Sequence, residues 1–442
     1  FGIYRILSAE SQPKLNTISD SFTGNHSFLM SASDWFRRNS KAFLGGTWEM
    51  KDIKVNKFKF LETSSPSNSV SWRGMLTDIF ALSHNKVVWS AMMKYLDITG
   101  SGLVKDFMQN SLKEMLYLGR QGVRMYTEPT KDGKVRWWDL GMKPGAQSLS
   151  EVTSIPIGQL SFKKEAAGKL RVFAMVDSWT QSILSPLHQK LFDTLRSLPN
   201  DGTFDQDASF KRCQEKAERY QVVYGYDLSS ATDRLPSLLQ ESILTSLFGQ
   251  DLGLIWNVIL TRRDYVIPKN KHGLLEGVIR YAVGQPMGAL TSFAMLGITH
   301  HLIMQYVSRL CGNTSKWEIR YEILGDDIVI FDHYLAAKYI EFMNSLGVPI
   351  NTSKSVVSVG SNRVIEFAKR TSFQGKDCSP LSWKMILSQD TFNGRLSVVR
   401  YLADKGFMKI NRIFNIVLAS KPWDIRPLKD EFSLLALVTS YA

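Results

Sequence analysis

The alternation of apolar and polar positions is clearest between residues 317 and 347. In WEIRYEIL (317–324), Trp317, Ile319, Tyr321 and Ile323 alternate with Glu318, Arg320 and Glu322. That period predicts a half-buried antiparallel strand with its charged residues on the face away from the core. IVIF (328–331) predicts a second strand across a turn, and YLAAKYIEFMNSLG (334–347) a helix that stops at Gly347. Upstream, QVVYGYD (221–227) reads as a strand. Pro236 then opens a helix with apolar Leu238, Leu239, Ile243, Leu244 and Leu247, closed by Gly249. MGALTSFAMLGITHHLIMQYV (287–307) is interrupted by His300 and His301, and reads as a buried helix rather than a membrane span. KDGKVRWW (131–138) predicts a hairpin through Asp132-Gly133. The fold class expected from these elements is α+β, with helices covering one face of an antiparallel sheet.

Composition narrows the functional classes. The chain has 442 residues, 44% apolar and 21% charged, which excludes a disordered chain and allows a large core. A net charge of +13, from 54 basic and 41 acidic residues, favours a polyanionic partner such as nucleic acid or an anionic membrane. Cys213, Cys311 and Cys378 are far apart and odd in number. They form neither a disulfide framework nor a zinc-ligand spacing, which fits a reducing compartment. The first residue is Phe1, as expected of a fragment or processed product, and no charged segment followed by an apolar leader appears within the sequence.

Five stretches carry candidate chemistry. YEILGDDIVIFDH (321–333) sets Asp326 and Asp327 between apolar strands, and YGYDLSSATDRLP (224–236) sets Asp227 at a strand end with Asp233 in the next turn. If the two strands pair, Asp227 comes beside Asp326. Such a carboxylate cluster suits two Mg²⁺ ions about 3.5–4 Å apart, which take hard oxygen ligands and leave positions open for phosphate. Taken singly, each site also reads as turn or helix-cap chemistry. In GQPMGALTSF (284–293), Gly284 and Gly288 allow backbone to approach a ligand, and Thr291 and Ser292 place hydroxyls near a helix start. In SFKKEAAGKLRVFAMVD (161–177), Lys163, Lys164, Lys169 and Arg171 form a basic cluster that either neutralises phosphates or is a solvated face. In INTSKSVVS (350–358), Lys354 lies between a helix and a strand, either as a surface residue or as a general acid toward a leaving pyrophosphate.

In their order along the chain (basic cluster, D-x5-D, Gly loop, GDD, then lysine) these stretches resemble viral RNA-dependent RNA polymerases. LPNDGTFDQ (198–206), DLSSATDRLP (227–236), GQPMGALTSFAML (284–296), LGDDIVI (324–330) and EFAKR (366–370) are similar to the mitovirus branch, the capsidless RNA replicons of fungal and plant mitochondria. The resemblance runs from about Ile157 to Trp383 and implies a right-hand polymerase fold. Residues 1–220 would form the N-terminal region and fingers. Residues 221–365 would form the palm, with an inserted fingers segment near 250–283, and residues 366–442 a short thumb.

The resemblance also implies residue roles. Asp227 and Asp326 would be the metal ligands, with Asp327 assisting. Asp233 would sense the ribose 2′-hydroxyl, helped by Thr291 or Ser292 and by the loop at Gly288. Lys169 and Arg171 would clamp the triphosphate, with Lys163 or Lys164 as an earlier member. Lys354 would donate a proton to pyrophosphate, and Glu366, Lys369 and Arg370 would lie on a segment gripping the primer or product strand. The implied cofactor is a pair of Mg²⁺ ions, with Mn²⁺ as substitute. The implied partners are RNA template, product strand and ribonucleoside triphosphates, with the chain a monomer or a ribonucleoprotein with its own RNA. The implied location is the host mitochondrion for a mitovirus, otherwise the host cytoplasm.

Two features depart from the family pattern. Many such polymerases carry an Asn after the Gly loop, where this chain has the apolar run Phe293 to Leu296, and little chain remains after Trp383 for a thumb. Two alternatives stay open. A reverse transcriptase is opposed by Asp233 and Gly325, and an inactive RNA-binding remnant by the intact carboxylates.

Overall fold

In this computed structural model, residues 13–120, 125–126, 137–138, 155–164, 170–268, 276–313, 317–351 and 355–380 are described, with isolated positions from 385 to 402. The N-terminal part is helical: α1 (Asn16–Ser19), α2 (His26–Leu44), α3 (Ser71–His84), α4 (Lys86–Ile98) and α5 (Gly102–Arg120). Asn25 and Asn85 cap α2 and α4, accepting from the Phe28 and Val88 backbone N–H groups at 3.0 and 3.1 Å. Strands β1 (Met125–Tyr126) and β2 (Trp137–Trp138) pair antiparallel. The turn expected at Asp132-Gly133 lies outside the described residues.

Next come β3 (Gly158–Lys164), β4 (Leu170–Val176), α6 (Ser178–Ser197), α7 (Gln206–Tyr220), β5 (Val222–Asp227), α8 (Ala231–Arg234), α9 (Ser237–Phe248) and α10 (Gln250–Thr261). They are followed by β6 (Tyr265–Ile267), β7 (Gly277–Ile279), α11 (Ser292–Leu310), β8 (Tyr321–Leu324), β9 (Asp327–Ile330) and α12 (His333–Ser345). The chain continues through β10 (Val356–Val359), β11 (Val364–Phe367), β12 (Arg370–Phe373) and β13 (Lys376–Asp377).

The central sheet has the order β10-β5-β9-β8, and every pairing in it is antiparallel. Its side chains alternate between two cores. Ile328 and Ile330 of β9 pack with residues of α11 and α12, such as Leu302 and Tyr339. Val329 and Phe331 pack instead with Phe210, Cys213 and Ala217 of α7 and with Ile365 and Phe367 of β11. The fold is α+β as expected, but both faces of the sheet are covered, not one.

The charged face of 317–324 is corrected for the same reason. Regular strand begins only at Tyr321, Ile319 is 47% exposed, and Glu322 is fully buried. Arg212 donates to the Glu322 carboxylate at 3.0 and 2.9 Å, Lys216 at 2.7 Å and Ser209 at 2.7 Å, all from one face of α7. Alternation reports that two faces differ. It does not report what covers each one.

The outer edge of β8 is covered by the chain before α7. Ile323 N–H donates to the Asn200 carbonyl at 2.9 Å and Gly202 N–H to the Ile323 carbonyl at 2.8 Å. The Asn200 side chain donates to the Tyr321 carbonyl at 2.7 Å. This occupies backbone groups that would otherwise form an open sheet edge.

A second sheet has the order β4-β3-β6-β7. Buried Arg263, just after α10, donates to Asp177 at 2.6 Å, tying the end of β4 to α10. Among the described residues, no helix is long and apolar enough to cross a membrane.

Candidate active site

The acidic centre follows from the register of two strand pairs. β5 runs antiparallel to β9 so that Asp227 and Asp327 are Cα partners, and Leu324 pairs with Asp327 to close the β8–β9 hairpin. Gly325 and Asp326 form the two-residue turn, with Gly325 at φ +62°. Directly opposed residues leave an antiparallel sheet on the same face, with Cβ atoms about 4.5–5.5 Å apart. The residue opposite Asp227 is therefore Asp327, while Asp326 stands next to the pair in the turn. Asp326 is exposed, and Asp227 and Asp327 are half-buried.

Asp233 lies in α8, just beyond β5. Its carboxylate accepts from the Thr17 hydroxyl of α1 at 2.8 Å. Burial pushes its pKa up to about 6, against the pull of Thr17 and Arg234.

The Gly loop docks on this turn. Gly284 N–H donates to the Asp233 carbonyl and Gln285 N–H to the Thr232 carbonyl, each at 3.0 Å. A Cβ at Gly284 would stand 2.1 Å from the Thr232 oxygen, so no side chain fits there. On its other side the loop meets β4: Ala174 N–H donates to the Met287 carbonyl at 2.6 Å, and Gln181 of α6 donates to the Gly288 carbonyl at 3.0 Å. The D-x5-D turn, the Gly loop and the basic hairpin are thus joined by backbone contacts.

Lys163 and Arg171 are Cα partners across β3–β4 and share one face of that hairpin. Lys163 and Lys164 are exposed and Arg171 is half-buried. Lys169 and Lys354 lie outside the described residues. Thr291 is buried before α11, and its hydroxyl accepts from Trp256 Nε1 of α10 at 2.8 Å. Its N–H donates to His188 Nδ1 at 3.1 Å. Ser292 is also buried, and its carbonyl accepts from the Gln285 side chain at 3.0 Å. The Thr291 hydroxyl is thus engaged in packing α10 against α11.

The β11–β12 hairpin turns at Ala368 and Lys369, which have φ +53° and +62°. Glu366 and Lys369 are exposed. Arg370, expected on a segment gripping RNA, has its guanidinium committed within the chain. It pairs with Asp207 and, at 2.6 Å, with Asp377, and it lies 4.4 Å over the Phe210 ring. It ties the hairpin to α7.

The donor chemistry at Asp227, Asp326 and Asp327 is that of a hard divalent cation. Among the described residues, no group of three His, Cys, Asp or Glu side chains converges closely enough to hold a metal alone. Mg²⁺ sites are commonly built from one or two carboxylates and completed by phosphate and water.

The family model of the mitovirus RNA-dependent RNA polymerase matches residues 51–422. The chain belongs to that family. An RNA-directed RNA polymerase of Cryphonectria parasitica mitovirus 1 (strain American chestnut tree/New Jersey/NB631) is 43% identical over 218 residues, which is 49% of this chain and 26% of that protein. The match thus spans about a quarter of that polymerase's length. An uncharacterized mitochondrial protein of Arabidopsis thaliana is 32% identical over 239 residues, 53% of this chain and 93% of that one. The crystal structure of the insertion loop deletion mutant of a human picorbirnavirus RNA-dependent RNA polymerase aligns with TM-score 0.42 at 15% identity, over 64% of this chain and 57% of that one.

In the sequence of this mitovirus-family chain His300 shows only as a break in an apolar run. The ring is buried, and burial pulls its pKa down to about 4. Its Nδ1 lies 2.8 Å from the carbonyl of Gly325, in the turn that carries Asp326. A polar residue at the centre of an apolar helix was the available signal, because buried polar groups need partners.

Proposed function

We propose that this mitovirus-family chain carries the nucleotidyl-transfer centre of an RNA-dependent RNA polymerase, extending an RNA 3′ end from ribonucleoside triphosphates on an RNA template. The observation that carries this reading is the register of Asp227 against Asp327, with Asp326 in the adjoining turn. The Gly loop is bonded to the turn just beyond the same strand, at Thr232 and Asp233, and the basic hairpin is bonded to that loop. Asp227 and Asp326 would hold two Mg²⁺ ions, with Asp327 assisting and Mn²⁺ as a substitute. When bound, such ions neutralise charge at the reacting phosphate and acidify the attacking 3′-hydroxyl.

The chain's own groups then position the reactants. Arg171, with Lys163 on the same face and Lys164 and Lys169 nearby in sequence, pairs with triphosphate oxygens. Arg171 offers a fork and the lysines point charges. Asp233 accepts from the ribose 2′-hydroxyl once the Thr17 hydroxyl yields. The backbone at Gly288 borders the nucleotide, and Thr291 and Ser292 keep the loop end in place from behind. Lys354 delivers a proton to the leaving pyrophosphate. Glu366 and Lys369 lie along the product strand, while Arg370 holds their hairpin on α7. Base choice comes from template pairing, so the protein reads backbone and shape.

In this reading residues 221–365 form the palm, 250–283 an inserted fingers segment, 1–220 the N-terminal region and fingers, and 366–442 a short thumb. The mitochondrial relative and the mitovirus family support placement in a mitochondrion. The test is extension of an RNA primer–template by the purified chain with all four ribonucleotides and Mg²⁺ or Mn²⁺. Wild type extends, and Asp326→Asn abolishes synthesis while RNA binding survives. Binding without synthesis replaces the reading with an RNA-binding remnant, and a strong deoxynucleotide preference replaces it with a reverse transcriptase.

A further inference from the structure

We propose that His300 is a positioning residue for the acidic turn, its Nδ1–H holding the Gly325 carbonyl and so fixing Asp326 relative to Asp227. The role rests on the polymerase reading above, since it concerns the same carboxylates. His300 is buried in α11 with Nδ1 2.8 Å from the Gly325 oxygen and Nε2 2.8 Å from the Tyr339 hydroxyl. A carbonyl only accepts, so Nδ1 carries the proton. Nε2 is then a lone pair, and the Tyr339 hydroxyl donates to it.

The contacts form a strut between the two halves of the acidic centre. The Tyr339 ring, on α12, stacks on Tyr226 with centroids 6.0 Å apart and planes 15° apart. The strut runs Gly325, His300, Tyr339, Tyr226. One end is the residue before Asp326, and the other is the residue before Asp227. Gly325 is itself buried, so without His300 its carbonyl would lose its partner away from water.

The same helix supports the turn at a second point. An added Cβ at Gly325 would meet the Phe293 ring at 3.0 Å. Phe293 and His300 lie two helical turns apart and therefore on one face of α11. Phe293, the first residue of the apolar run found in place of an expected Asn after the Gly loop, thus lies against the turn that carries Asp326. The adjacent His301 acts elsewhere. Its ring bonds the Tyr321 hydroxyl at 3.0 Å and Asp201 at 3.1 Å, at the far end of β8. That makes it a control for simple loss of packing.

The test uses the full 442-residue chain, with Mn²⁺ as the probe ion. Its readouts are Mn²⁺ affinity by calorimetry and kcat and KM for single-nucleotide extension. In His300→Asn the amide N–H lies near the Nδ1 position and keeps the donor to Gly325, whereas in His300→Gln it lies near Nε2 and does not. Residues that orient metal ligands typically change affinity or activity by about 10–100-fold when altered. The expected result is therefore a loss of about tenfold or more in Mn²⁺ affinity and kcat for His300→Gln. The nucleotide KM stays nearly unchanged, and His300→Asn, which keeps the Gly325 bond but not the Tyr339 one, loses clearly less than His300→Gln. His301→Gln lowers the melting temperature without moving Mn²⁺ affinity. Wild-type behaviour of His300→Gln, equal losses in His300→Asn and His300→Gln, or equal losses in His301→Gln and His300→Gln each overturn the positioning role. A wild-type chain that neither binds Mn²⁺ nor extends RNA removes the polymerase reading and this role together.

Discussion

Asp227 and Asp327 face each other across the β5–β9 ladder, and the turn lifts Asp326 beyond them. Like charges directly opposed on a sheet repel, in a setting where cross-strand pairs are worth about 0.2–1 kcal/mol. Metal-free chain should therefore melt slightly higher as Asp327→Asn than as wild type, in thermal scans with EDTA. Synthesis should fall in all three Asp→Asn variants, by at least about 100-fold for Asp227 and Asp326 and by less for Asp327. An Asp327→Asn chain that melts lower in EDTA would show that the opposed carboxylates do not strain the ladder.

Glu322 has no access to water and is held by Arg212, Lys216 and Ser209. Breaking a buried ion pair from one side leaves uncompensated charge and costs about 3–5 kcal/mol. Arg212 and Lys216 keep some contact with water, at 32% and 17% side-chain exposure, so Glu322→Gln should lower stability by a smaller amount, about 1–3 kcal/mol, in urea titrations. Replacing Glu322, Arg212 and Lys216 together with apolar residues should recover part of it. A Glu322→Gln chain as stable as wild type would mean that α7 does not depend on this carboxylate.

Gly288 has φ +119°, and a Cβ there would lie 2.8 Å from the Ala174 carbonyl oxygen. Gly288→Ala meets both a disfavoured backbone conformation, worth about 1–3 kcal/mol, and a backbone contact that cannot swing away. The loop should separate from β4, so the nucleotide KM should rise more than global stability falls. Steady-state kinetics beside thermal melts separate the two. A melt shifted with KM unchanged would place the loop outside nucleotide binding.

Local signals carried much of the fold. The helix from Ser237 to Phe248 follows Pro236 and stops at Gly249, and the helix from His333 stops just before Gly347. Both follow from periodicity and end chemistry, which short windows of sequence contain. Contacts between distant segments were not available in this way. Arg212 finds Glu322 110 residues along the chain, and Arg370 finds Asp207 at a separation of 163. Nothing near Arg370 distinguishes an arginine that grips RNA from one that anchors a hairpin. The acidic residues of the candidate site were visible as types and spacings. Their register, with Asp327 rather than Asp326 opposite Asp227, is fixed by how β5 pairs with β9.

Asp78 gives the chain a pH dependence whose sign can be worked out. Its carboxylate is buried on α3, accepting from the Ser67 hydroxyl and from the Ser178 N–H and hydroxyl at 3.1 and 3.0 Å. Burial is the main cause that raises its pKa from 3.8 to about 7, and the neighbouring Asp177 charge adds to it. Below 3.8 both folded and unfolded chains hold the proton, and the contribution to stability is complete. Between 3.8 and about 7 only the folded chain holds it, so stability falls as pH rises, by up to about 1.4 kcal/mol per pH unit. Above about 7 both forms are ionised and the loss is complete. Asp78→Asn keeps the shape and removes the titration. Its melting temperature relative to wild type should climb from about pH 4 to about pH 7 and then level off, read by calorimetric scans in matched buffers. A difference that stays constant across that range would mean Asp78 is ionised in the folded chain throughout, with Ser67 and Ser178 sufficient to hold its charge.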